Sequence, residues 1–121
     1  MAEQFDSGRP IYAQLVERLK AKILAGSYPP GGHLDSVRDL AAAAGVNPNT
    51  MQRALAELER TGLVYTQRTA GRFVTEDVAV VDSAKQELAH QQIGAFLHRM
   101  ERMGYDREQA AQLVRSWKEE A

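Results

Sequence analysis

Asn49, Thr50, Gln52 and Arg53 lie on one short helix-forming stretch, and all four carry groups suited to the edges of bases. Asn and Gln amides match the donor and acceptor of adenine. An arginine fork matches the two acceptors of guanine, and a threonine hydroxyl bonds to either. Arg38, on a helix just before, is a further candidate for a phosphate or a base edge. Arg68 and Arg72 flank Thr69-Ala70-Gly71, where a hairpin tip would bring two cations to a minor groove or a phosphate. The plainer readings are a solvated helix face and a charged surface turn.

Other chemistries have little to work with. The chain has no cysteine, so it holds no disulfide framework and no thiolate metal or redox site, which suits a reducing cytosol. His90 and His98 are two helical turns apart, too far for a ligand pair one turn apart, and His33 stands alone, so no metal site is expected. No nucleophile and base fall into a catalytic arrangement, and the serines have loop, cap or helix-surface explanations. Gly31-Gly32 follows two prolines with no Lys-Ser/Thr after it, so it is not a phosphate loop. No catalytic residue and no cofactor are expected.

The elements that position the polar residues follow from periodicity and punctuation. Ile11, Leu15, Leu19 and Ile23 recur every four residues and predict an amphipathic helix over 10–25, with Pro10 at its first position and Gly26 past its end. Ser27 to Gly32 is a loop by its Pro and Gly content. Ser36 begins a second helix as its cap, with Asp39 placed to complete a capping box, and Gly45 ends it. Asn47 caps a third helix, Pro48 opens it, and it runs to about Thr61. Met51, Leu55 and Leu58 face inward on it, while Asn49, Gln52, Arg53, Ala56 and Arg60 lie largely opposite. Residues 63–66 and 72–75 read as two short strands around Gln67 to Gly71. Two helices joined by a tight turn are a helix-turn-helix, and the basic-tipped hairpin adds a wing.

From Val78 the pattern becomes long helix. Leu88, Ile93, Phe96, Leu97, Met100 and Met103 form an apolar stripe, broken at Gly104. Asp106 caps a last helix, with Gln109 at capping-box spacing, and Ala110, Leu113, Val114 and Trp117 line one face. A lone helical hairpin cannot bury so many large apolar side chains, so a partner surface is required. The fold class is therefore mainly α with a small β-hairpin wing: a winged helix-turn-helix domain over residues 1–77, then a two-helix dimerisation tail over 78–121. Residues 76–84 are the expected hinge. The tail leaves little interior for a pocket of several hundred cubic ångströms.

Net charge is −1. Residues 1–77 carry nine Lys/Arg and nine Asp/Glu, which cancel, so phosphate attraction must come from local placement. Over 46–75 four arginines face two glutamates. The opening Met1-Ala2-Glu3-Gln4-Phe5-Asp6 is acidic and polar, unlike a secretory signal, and no apolar run approaches the roughly 20 residues that span a bilayer.

Residues 10–77 resemble the N-terminal winged-helix domain of GntR-family bacterial transcription regulators, in register and without a gap. The motifs are the Pro-Ile-Tyr opening, the Pro-Gly turn, Ser-Val-Arg, the Asn-Thr start of the third helix, Leu-Glu-x-x-Gly-Leu and Gly-x-Phe-Val. The short tail resembles the YtrA subfamily. The resemblance implies a cytoplasmic homodimer that binds double-stranded operator DNA, in all a repressor acting by occlusion. It implies DNA contact by Arg38, by Asn49 and Thr50 at the start of the recognition helix, and by Arg53. It also implies that Gly71 lets the wing tip approach the minor groove. Ser36 and Asn47, as the caps of the two helices, complete the expected DNA-binding set with Gln52, Arg68 and Arg72. Leu88, Ile93, Phe96, Leu97, Met100, Met103, Leu113, Val114 and Trp117 form the expected dimer interface. A small-molecule effector, of unknown identity, would sit between subunits or between tail and domain.

Three positions depart from the family pattern. Asp35 stands where Pro is frequent, Asn47-Pro48 replaces a common Ser-Arg, and Gln52 replaces a frequent arginine. The alternative function is a winged-helix protein-interaction module that does not bind DNA, which the neutral charge of residues 1–77 favours.

Overall fold

In a computed structural model, which describes residues 4–120, the chain forms five helices and one hairpin. The acidic opening at residues 1–3 lies outside the described residues. The order is α1 (Ile11–Leu24), α2 (Val37–Ala44), α3 (Pro48–Arg60), β1 (Val64–Gln67), β2 (Gly71–Val74), α4 (Val78–Arg102) and α5 (Arg107–Ser116). Two compact units make up the chain, Met1–Ser83 and Ala84–Ala121.

In the first unit α3 packs on both α1 and α2. Leu15, Leu19 and Ile23 of α1 meet Leu40 and Ala44 of α2 and Met51, Leu55 and Leu58 of α3 in one buried core, closed at the sheet end by Leu34, Leu63, Val64 and Val74. The helix ends follow local chemistry. The Ser36 hydroxyl accepts from the Asp39 N–H at 3.1 Å, one half of the expected capping box. Gly45, at φ +71°, ends α2 in the left-handed conformation that glycine adopts without Cβ strain. The Asn47 carboxamide oxygen accepts from the Asn49 N–H at 2.7 Å, and Pro48 opens α3. Pro10 caps α1 instead of opening it, as its extended ψ of 135° requires.

The strands pair antiparallel with Tyr65 opposite Phe73 and Thr66 opposite Arg72. They lie slightly closer to the turn than the sequence pattern predicts. Leu63 and Thr75 still share a hydrogen bond at 2.9 Å, Thr75 N–H to Leu63 carbonyl, so the ladder continues past the strand ends. The larger difference is a third partner. Residues 31–34, expected to be loop and lead-in, pair along the outer side of β2. Gly31 N–H donates to Val74, Val74 N–H to Gly32 and Leu34 N–H to Arg72, each at 2.9 Å, and His33 bridges Phe73. One bridged residue has no alternation to betray it in sequence.

In the second unit Asp106 and Gln109 form the full reciprocal capping box at the start of α5, each bond 2.9 Å. Ala110 is buried, whereas Ile93, Met103, Leu113 and Val114 are exposed and Leu88, Phe96, Leu97 and Met100 are half-covered. Trp117 is not on the helical face. It is the C-cap of α5, in extended conformation and 71% exposed. Two open apolar grooves flank the α4–α5 helix pair, of about 320 Å³ beside Met100 and Trp117 and about 360 Å³ beside Leu97 and Ala111. Both grooves are open at the surface, because two helices alone cannot enclose an interior pocket. Glu76 and Asp77 are coil, and Val78 onward is helical. No helix among the described residues is long and apolar enough to cross a membrane.

Candidate nucleic-acid interface

The buried residues of α3 fix which side chains remain outside. With Met51, Ala54, Leu55 and Leu58 in the core, Asn49, Gln52 and Arg53 are exposed on the opposite face, and Thr50 is half-buried at its edge. A 3.6-residue period leaves no other arrangement. Arg38 on α2 and Arg68 in the hairpin turn are also exposed, and neither holds an ion pair among the described residues. Ser36 and Asn47 are exposed too, with their side chains engaged as helix caps. Arg53 is oriented by a contact the sequence does not announce: its guanidinium lies over the Tyr12 ring of α1, 4.6 Å from the centroid.

Arg72 stands apart from this row. Its Nε donates to Glu59 Oε1 at 2.7 Å, and the Thr66 hydroxyl donates to the same oxygen at 2.7 Å. The Arg72 side chain is only 19% exposed. Burial pushes the Glu59 carboxyl up, but the bonds from Thr66 and Arg72 and the nearby positive charge outweigh it, so Glu59 titrates below the ordinary range. Arg60, at the end of α3, is taken up by Glu57 through Nε at 3.0 and 3.1 Å.

The hairpin tip has its own support. His33 Nε2 lies 2.8 Å from the Ala70 carbonyl, which can only accept, so this nitrogen carries the proton. The imidazole meets Phe73 edge to face at 4.9 Å, and Phe73 stacks on Tyr65 at 5.7 Å, a row across the bridged residue and both strands. Gly71 has φ +100°, and a Cβ there would come within 2.9 Å of His33 Nε2. His33 and Glu59 are the residues sequence reasoning missed. The Leu-Glu-x-x-Gly-Leu motif contained Glu59, but only the fold places it against the wing.

Asp35 also has a local partner. Its carboxylate lies near the Tyr28 hydroxyl, whose pKa is raised first by burial and then by that negative charge. Among the described residues no cluster of three His, Cys, Asp or Glu side chains is arranged to hold a metal ion.

A recognition-type helix with an exposed polar face, set on a three-helix core and followed by a braced wing, can lie in a major groove with the hairpin beside it. Residues 11–74 match the family described as bacterial regulatory proteins, gntR family. The chain belongs to this family. GntR regulators are transcriptional regulators and not enzymes, and this winged helix is of their DNA-binding kind. The HTH-type transcriptional regulator YhcF of Bacillus subtilis is 34% identical over 119 residues, covering 98% of both chains. The HTH-type transcriptional repressor YtrA of the same organism is 42% identical over 71 residues, 59% of this chain and 55% of YtrA. Among solved structures, a GntR family transcriptional regulator from Listeria monocytogenes superposes with a TM-score of 0.84 at 38% identity, over 94% of this chain and all of that one. The DNA-binding domain of AraR in complex with operator ORR3 superposes at 0.54 with 28% identity, over 62% of this chain and 88% of that one.

Proposed function

We propose that this GntR regulator is a cytoplasmic homodimeric repressor of the YtrA-like type, which occludes a promoter by binding an inverted-repeat operator. The exposed row of Asn49, Gln52 and Arg53 on a capped, core-anchored α3 carries this reading. Those side chains and Thr50 read bases in the major groove, Arg38 meets a phosphate or base edge, and Arg68 at the wing tip reaches the minor groove. Ser36 and Asn47 hold the helix ends whose free N–H groups face phosphate. Gly71 keeps the tip narrow. The operator complex of the AraR DNA-binding domain supports the docking, and the repressor name of YtrA supports the sign of regulation.

Exposed Ile93, Met103, Leu113 and Val114, half-covered Leu88, Phe96, Leu97 and Met100, and Trp117 just past the end of α5 support dimerisation through the tail, over residues 78–121. Two copies related by a two-fold axis present two recognition helices, so the half-sites lie about one helical turn apart or slightly more. An effector would act between subunits, by favouring one spacing of those helices.

Selection of bound duplexes from random DNA, followed by footprinting, tests the reading. Recovery of an inverted repeat protected on both halves is the expected result. On that duplex Arg38→Ala should cost about 1–3 kcal/mol of affinity at matched salt with little change in melting temperature. A direct repeat, one protected half-site or unchanged binding by Arg38→Ala would count against it. Enrichment of no duplex would favour the protein-interaction module.

A further inference from the structure

The wing of this fold is held at its root and at its tip by residues that nothing in its DNA-reading face requires. We propose that Glu59 and His33 are positioning residues which pre-set the wing against the recognition helix, and that Arg72 is the strut of this brace and not a phosphate contact. The proposal rests on the DNA-binding reading given above.

The root brace joins the two elements that must meet DNA together. Glu59 belongs to α3, while Thr66 and Arg72 are cross-strand partners in the hairpin. One carboxylate oxygen receives both donors at 2.7 Å, so helix and hairpin share a single acceptor. A charge-assisted bond of this kind fixes direction as well as distance. An arginine held this way, with its side chain 19% exposed, has given up much of the reach that a phosphate contact needs.

The tip brace works from the other side of the hairpin. Residues alternate across a strand, so Tyr65 and Phe73 face away from Thr66 and Arg72. His33 lies against Phe73 and donates to the Ala70 carbonyl at 2.8 Å, inside the turn that carries Arg68. Without it, a two-stranded hairpin would be only marginally ordered at its end. Gly71 leaves the space that the imidazole occupies. Arg68 is thus presented on a turn whose position is set before DNA arrives, and the ordering cost is not paid on binding.

The competing role for Arg72 makes opposite forecasts. A strut needs its acceptor, so Glu59→Ala should weaken binding. A phosphate contact is restrained by that acceptor, so Glu59→Ala should free the arginine and strengthen binding.

The experiment uses the full-length protein and the duplex enriched by wild type in the selection above. Affinity is measured against salt for Glu59→Ala, Glu59→Gln, Arg72→Ala, the Glu59→Ala/Arg72→Ala pair, His33→Ala and His33→Gln. Thermal melts identify any variant that fails to fold. The brace predicts about tenfold weaker binding for Glu59→Ala and Arg72→Ala, and a double variant no weaker than either alone. Glu59→Gln should bind like wild type, since its amide oxygen accepts from both donors. His33→Gln should bind more tightly than His33→Ala. The slope of log affinity on log salt should match wild type throughout. A slope shallower by about 0.9 for each Arg72 removed would mean a phosphate contact and overturn the proposal while leaving the DNA-binding reading intact. Tighter binding by Glu59→Ala would do the same. A wild-type protein that enriches no duplex overturns both.

Discussion

The two units of this chain treat their large apolar side chains in opposite ways. In Met1–Ser83, Leu15, Leu34, Leu55, Leu58 and Leu63 are almost completely covered within one protomer. In Ala84–Ala121, Ala110 is the one buried apolar residue among those described, while Ile93 is 57% and Trp117 71% exposed. Burial of a large side chain is worth about 1.5–3 kcal/mol, so the first unit contains its own stabilisation and the second does not. Three helices and a hairpin can enclose a core, whereas a helical hairpin has only one seam. The tail's apolar surface is therefore available for association, and the first unit's exposed surface is polar where α3 faces out. Stability thus lies in the first stretch of sequence, and the dimerisation proposed above would draw on the second.

Substitutions at matched residues test that contrast most severely. Leu55→Ala should cost about 2–5 kcal/mol of unfolding free energy by denaturant titration, because the cavity lies in a closed core. Leu113→Ala, at 43% exposure, should instead show its cost in the concentration dependence of the melting temperature. Equal, concentration-independent losses at the two sites would remove the contrast.

Phe96→Glu comes next in size. A carboxylate placed in a desolvated seam carries a penalty of several kcal/mol, so the dimer should be lost at micromolar concentration in sedimentation equilibrium. The first unit should still unfold in its own cooperative transition. An unchanged dimer would move the interface elsewhere on the chain.

The smallest effect separates the units by their chemistry. Glu59 titrates below its ordinary value of 4.5 because its bonds from Thr66 and Arg72 outweigh its burial. A depressed carboxyl contributes stability that is fully present above its unfolded value and is lost as pH falls through the folded one. The stability difference between wild type and Glu59→Gln should thus be flat above about pH 5 and change only in the acid range below. Leu113→Ala should show no such acid limb, since it alters no charge. A difference that varied between pH 6 and 8 would point to another titrating group.

Much of the architecture was legible in the residues because it is local. Ser36, Gly45, Asn47 and Pro48 act on atoms a few residues away, and the capping box of Asp106 and Gln109 needs only its own turn. The outward face of α3 followed from the positions of Met51, Leu55 and Leu58, since helical period converts buried positions into exposed ones. Trp117 marks the limit of that reasoning: periodicity carried it onto the α5 face, whereas the helix ends one residue earlier.

What tertiary structure decided is the fate of the charges and of the single-residue contacts. In sequence Arg38, Arg53, Arg68 and Arg72 are alike. Folding leaves Arg38 and Arg68 in solvent, lays Arg53 over Tyr12, and ties Arg72 to Glu59 across 13 residues of chain. His33 had no motif, yet it reaches Ala70 from 37 residues away. Such pairings depend on where whole elements come to rest, and no local period encodes them. Hydrophobic pattern is repeated many times along a chain and averages into a clear signal. One hydrogen bond between distant residues occurs once, and only the packed core brings its two ends together.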